Sequence, residues 1–142
     1  MTYAIAGPLQ AAVFQQLYTD PALTALVGTH VFDALPHGNV PSLYVALGPE
    51  KVRDASDVTG AGALHEFTVS IVSDSAGFAV AKQAAGVVSD SLVDAALELS
   101  RGALVSLNFF KAAAARVGTG DTRRIDLFFR ARVCDAPTNP SN

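Results

Sequence analysis

Three features of the 142-residue sequence predict an α+β domain, a two-layer α/β sandwich with a mostly antiparallel sheet and the helices on one face. Residues 124–133 alternate strictly: Ile125, Leu127, Phe129, Ala131 and Val133 fall on one side, and Arg124, Asp126, Phe128, Arg130 and Arg132 on the other. Strand side chains point to opposite faces in turn, so this is a strand with one buried face. Residues 42–48 and 64–73 alternate in the same way, whereas residues 8–27 and 78–99 space their apolar side chains for helices. The order is helix, two strands, strand, helix, two strands.

Taken in order, Gly7-Pro8 opens the first helix, because Pro suits the first helical position, where no N–H is needed. Leu9, Ala12, Val13 and Leu17 line its inner face, widened by Phe14 and Tyr18. Asp20-Pro21 restarts the helix after a kink, with Asp as the cap and Gly28 as the stop. Residues 31–35 read as a short strand, closed by Pro36 and the turn-forming run 37–41. In the strand at 42–48, Leu43, Val45 and Leu47 share one face and Tyr44 takes the other, and Gly48-Pro49 ends it.

Residues 49–63 have no apolar period and are rich in Gly and charge, so they predict a long loop. Such a loop is either an idle hairpin tip or a segment that orders against a neighbouring subunit. The strand at 64–73 sets Phe67, Val69 and Ile71 against Glu66, Thr68 and Ser70. Turn residues 73–77 lead into a long helix over 78–99, with Phe78, Ala81, Ala84, Ala85, Val88, Leu92, Ala95, Ala96 and Leu99 inward and Gln83, Asp90 and Asp94 outward. A strand over 103–117 follows, its parity blurred at Lys111 to Ala115, where a bulge or bend is expected. Residues 118–122 make the hairpin turn into the final strand. One domain over 1–135 and a disordered polar tail over 136–142 complete the expectation.

Composition narrows the function. Half the residues are hydrophobic and only 16% are charged, against about 25% in ordinary soluble domains. No run of about 18 apolar residues suits a membrane span, so the excess predicts surface hidden in an oligomer. A net charge of −3 offers no global field for nucleic acid. The single cysteine, Cys134, excludes an internal disulfide and a cysteine-rich metal site, and reads as a half-buried structural thiol. The first residues lack a basic, then apolar, secretory pattern, which makes the cytosol the expected compartment.

No nucleophile, base and orienting acid stand in a recognisable motif, and the glycine pairs at 60–62 and 118–120 lack the rest of a phosphate loop. His30, His37 and His65 have no ligand spacing, so no metal or cofactor is expected, and they read as surface or strand-end histidines. Arg124, Arg130 and Arg132 share a strand face, with Arg123 adjacent. They fit a solvated face guarding an edge strand, a subunit contact with Asp90, Asp94 and Glu98, or phosphate contacts, in that order. An aromatic set of Tyr44, Phe110 and Phe128 sharing the outer face would need a partner to cover it.

The succession of residues 17–23, Val31-Phe-Asp33, residues 41–48, the acidic-Gly loop, residues 65–69, the Ala-rich helix and Arg-Arg-Ile-Asp-Leu-Phe-Phe-Arg-Ala-Arg132 resembles the tail-terminator (tail-completion) proteins of long-tailed phages and phage-like gene transfer agents. The likeness runs from about residue 8 to 133. It implies a virion structural protein, not an enzyme, at the head-proximal end of the tail. Its members form a hexameric ring that caps the tail tube, stops its polymerisation and offers a head-docking surface, with DNA passing through the lumen without sequence-specific binding. The partners implied are further copies of the chain, the tail tube protein and a head-tail connector or neck protein. The expected subunit interface is Tyr44, Arg53, Asp54, Asp57, Phe110, Arg124, Phe128, Arg130 and Arg132. Two alternatives stand: a neck or head-completion adaptor, and a small ligand-binding or enzymatic sandwich using Asp33 and His37.

Overall fold

The structure, a computed structural model, describes residues 2–35, 38–56, 61–75, 77–118 and 120–135. Its elements are α1 (Ala6–Tyr18), α2 (Pro21–Val27), β1 (Val31–Phe32), β2 (Leu43–Asp54), β3 (Gly62–Ser73), α3 (Ala79–Leu92), β4 (Ala103–Arg116) and β5 (Arg123–Cys134). The strands make one sheet in the order β1-β2-β3-β5-β4, antiparallel except for β1, which runs parallel to β2. One core joins α1, α2 and α3 to a single sheet face, the expected two-layer sandwich.

The β3–β5 ladder is the spine. It runs without a register shift from Gly62–Cys134 to Ser73–Arg123. Every odd residue from Ile125 to Val133 is buried, as the alternation predicts. Phe129 lies at the centre, fully buried, with Phe67 stacked on one side at 5.5 Å and Phe109 tilted on the other at 5.7 Å. Small side chains on α3 (Ala81, Ala84, Ala85) bring that helix close to this aromatic row. The Asp20 carboxylate accepts hydrogen bonds from the N–H groups of Ala22 and Leu23, capping α2 as expected.

Several boundaries differ from the sequence expectation. The first helix begins at Ala6, so Pro8 sits inside its first turn. The 49–63 loop is mostly strand: β2 continues to Asp54 and pairs with β3 from Ala63 to Phe67. Gly48 and Pro49 mark a bulge, where the register jumps from Leu47–Val69 to Glu50–Phe67. An extra residue there absorbs the N–H that Pro lacks, so the strand resumes instead of ending. A methyl group on Gly48 would lie 3.3 Å from Thr68 Cβ, which explains glycine at this close approach. The hairpin tip keeps only residues 55–61, and residues 57–60 lie outside those described.

The long helix also stops early, at Leu92. Val93 is extended, Asp94 takes φ 57°, and the Asp94 N–H donates to the Leu107 carbonyl. Beyond it the burial period changes from helical to two: Ala95, Leu97 and Leu99 face the core, while Ala96, Glu98 and Ser100 face out. Asp94 and Glu98 therefore follow α3 and do not continue its outer stripe. Nor is β5 an edge strand, since β3 and β4 flank it, and guarding an edge cannot be what its arginines do. The expected tail at 136–142 lies outside the described residues.

Truncating Phe129 to Ala removes the centre of the aromatic row without a neighbour able to fill the space. The unfolding free energy should fall by about 3–5 kcal/mol, as measured by urea titration followed by circular dichroism.

Candidate functional site

The sheet face turned away from the helices carries the even residues of β5. Cross-strand pairing lays down two rows there: Lys51, Glu66, Arg130 and Asn108, then Thr68, Phe128 and Lys111. The β4 register jumps between Phe109–Phe129 and Lys111–Phe128, the bulge expected near Lys111. Phe110 is the extra residue, so two successive side chains, Phe110 and Lys111, both reach the outer face.

The consequence is a compact aromatic and basic patch. The Phe110 and Phe128 rings are 6.4 Å apart and tilted by 55°. The Arg130 guanidinium stacks 3.9 Å from the Phe110 centroid while its Nε donates to Glu66 Oε2 at 3.2 Å. Lys111 Nζ sits 4.6 Å from the Phe128 centroid. Pro49, Lys51, Glu66 and Thr68 wall a shallow cleft beside the two rings. Arg130 is 46% exposed, so its ion pair contributes at most about 1 kcal/mol, and the cation–π contact a similar amount. These contacts orient the side chains more than they stabilise the fold.

The remaining expected interface residues divide. Arg124, Arg130 and Arg132 do share this face. Arg124 Nε donates to Asp126 Oδ1 at 2.9 Å, and Arg132 Nη2 donates to the Ala55 carbonyl at 2.9 Å, tying the sheet to the hairpin tip. Arg53 and Asp54 are exposed at the end of β2, in the row of Arg132 or beside it. Asp54 accepts from the Ser56 N–H and hydroxyl, and those hydrogen bonds hold its carboxyl below the usual range. Tyr44 is not exposed: it lies on the outer face two rows from Phe128, only 8% accessible, edge-on to Phe32. It therefore belongs to the packing of β1 on β2, and no continuous aromatic row exists. Asp57 lies outside the described residues. Sequence reading missed Lys111, whose place on this face depends on a bulge that parity alone could not fix to one residue.

Of the two residues named for the pocket alternative, one is described. Asp33 is exposed, His37 lies outside the described residues, and His30 stacks on Phe32. The cavity beside Glu50, between α1 and the β2 bulge, holds ≈ 30 Å³, space for about one water, and the wider open cleft of ≈ 440 Å³ between α1 and residues 96–100 does not include Asp33. Among the described residues no group of three or more His, Cys, Asp or Glu is placed to hold a metal.

The family model described as "Tail completion protein gp17" matches residues 11–134. The chain belongs to this family. A chain of the solved "virion of native gene transfer agent (GTA) particle" is 62% identical, with a TM-score of 0.89, over 94% of this chain and 99% of its own. No curated protein matches.

One feature of this tail completion protein runs against the expectation for its histidines. His65 is fully buried on the helix side of β3, between Val52 and Ala131 in the ladder, and is no surface residue. The bulge at Gly48-Pro49 also turns Glu50 to that side, where it accepts from the Tyr3 hydroxyl and lies 3.7 Å from His65 Nδ1. That distance is too long for a hydrogen bond, and among the described residues neither imidazole nitrogen has one. Burial pushes the His65 pKa down from 6.5, with Glu50 opposing it only in part.

A depressed histidine pKa means the unfolded chain takes up the proton first. Stability is then fully present above pH 6.5 and declines as pH falls below it. Arg101 holds the Asp135 carboxyl down, and its loss, like that of Asp54, acts only below about pH 4. The melting temperature should therefore drop between pH 7.5 and 5.5 in the native protein, and His65→Leu should flatten that slope.

Proposed function

We propose that this chain is a ring-forming tail terminator: it caps the finished tail tube, stops its polymerisation and presents the surface to which the head docks. The carrying observation is the 62% identity, over nearly both full lengths, to a chain of a gene transfer agent virion, within a tail completion family. At such identity the surfaces as well as the fold are expected to correspond, so a place in a phage-like particle is the natural reading. The work is structural, without bond making or breaking.

The geometry supports the same conclusion. A terminator requires a rigid small domain and a head-to-tail contact that closes on itself. The unbroken β3–β5 ladder supplies rigidity, and the Phe110–Phe128 patch, with Lys111 and Arg130 held over its rings, supplies a preformed contact. Arg53, Arg124 and Arg132 share its sheet face, Asp54 follows Arg53 at the end of β2, and Asp57 completes the interface read from the sequence. The ring is a hexamer, the tail tube and a connector or neck protein are its axial partners, and DNA crosses its lumen.

Particles lacking this protein should carry overlong tails without heads in electron micrographs, and purified protein should bind the ends of tail tubes. Phe110→Ser with Phe128→Ser should leave the melting temperature within a few degrees, since both rings lie outside the core. The same pair should abolish the ring, as read by sedimentation.

A further inference from the structure

The charges of this acidic protein are strongly segregated. The segment 103–134, which contains β4 and β5, has six basic residues and only two acidic ones, Asp121 and Asp126. Residues 1–50 contain no lysine or arginine at all, and in α3 and the segment after it, to residue 100, a single lysine stands against Asp90, Asp94 and Glu98. The helix layer is thus anionic and the β4–β5 hairpin cationic.

Part of that cationic charge collects on the helix side of the sheet. Arg116 and Arg123 stand directly opposite each other in the ladder, a like-charge pair that disfavours the isolated strand ends. Arg123 lies 5.4 Å from the Phe78 ring and Lys82 5.8 Å from the same ring. Beside these cations α3 diverges from β4 and leaves an apolar groove floored by Ala85, Phe109 and Ala112. Its outer wall is the free edge of the sheet, since β4 pairs only with β5. A strand edge kept merely solvated by its charges would not also expose Val105 (60%), Phe109 (42%) and Val117 (46%).

Resting on the ring reading above, we propose that this groove seats the acidic end of α3 from a second copy of the chain. Val93, 40% exposed, enters the apolar floor, and Asp90 and Asp94 on either side of it meet the basic rim. Copies that set basic rim against basic rim would repel, and a ring requires each copy to offer its acidic helix end to one neighbour and its groove to the other. Asp90 and Lys82 are separated by about 12 Å along the helix, so one molecule can offer both halves at once.

Charge exchange tests this. Lys82→Glu with Arg116→Glu, or Asp90→Lys with Asp94→Asn, should each weaken self-association by about tenfold or more in sedimentation at low salt. All four replaced residues are exposed, and unchanged melting temperatures would confirm folding. Mixing the two variants, or combining all four changes, should restore association, which only direct pairing of these surfaces achieves. Assembly of both variants as in the native protein, or no rescue, overturns the proposed surface while leaving the ring reading intact. If the basic variant keeps assembly but loses affinity for double-stranded DNA, the rim serves phosphate and this proposal is wrong. A native protein that neither self-associates nor binds tubes would sink the ring reading itself.

Discussion

The twelve-residue ladder between β3 and β5 is the constraint on which the rest of the molecule depends. A shift of one residue in it would turn Phe129 to solvent and Arg130 into the core. That cost is large because Phe129 is wholly buried between Phe67 and Phe109, and an ionised guanidinium in its place would be unpaired. The register is thereby fixed, and with it the division of the sheet into a face for helices and a face turned away from them. All irregularity is moved to the flanking strands, where β2 carries one bulge and β4 carries two register shifts.

Those bulges do different work on the two sides. At Gly48-Pro49 the extra residue turns Glu50 toward Tyr3 and His65, placing three polar groups where the pattern of a simple strand would put apolar ones. The unpaired, buried imidazole is a cost to stability. At Phe110 the extra residue puts an aromatic and a lysine side by side on the outer face, and Arg130 and Phe128 complete the patch. In both places the unbroken central ladder supports a local departure that the edge could not maintain alone.

What could be read from the sequence follows from this arrangement. Where packing obeys a single period, the elements were legible: β5, β3, the inner faces of α1 and α3 and the Asp20 cap all stand where their spacing puts them. Where a backbone irregularity decides, they were not. Gly48-Pro49 signals a strand end in sequence, yet tertiary pairing of Val52 with His65 carries β2 onward. Ala95 and Leu99 fit a helical stripe, yet the helix ends before Asp94 at positive φ, and the irregular segment beyond it half-buries the same side chains at period two. The alternation that turns Phe67, Val69 and Ile71 inward also turns His65 inward, but its polar side chain was read as marking a surface or strand-end position. Of the expected contact residues, parity grouped Phe128, Arg124, Arg130 and Arg132 correctly, but it could not show that Phe32 covers Tyr44.

The contacts on the outer face are individually weak, which is what the ring proposed above would ask of them. Each ion pair and cation–π contact there contributes about 1 kcal/mol or less and is already made in the single subunit. A neighbour therefore meets ordered side chains and loses little entropy on docking. In a closed ring every subunit is held on two sides, and the final contact forms within one assembly, at an effective concentration far above that of free subunits. A modest pairwise affinity then yields a stable closed object while partial arcs fall apart. Strong pairwise contacts would instead trap misaligned arcs. Segregated charge disfavours contacts of basic hairpin with basic hairpin and favours those of the hairpin with the acidic helix layer of another copy.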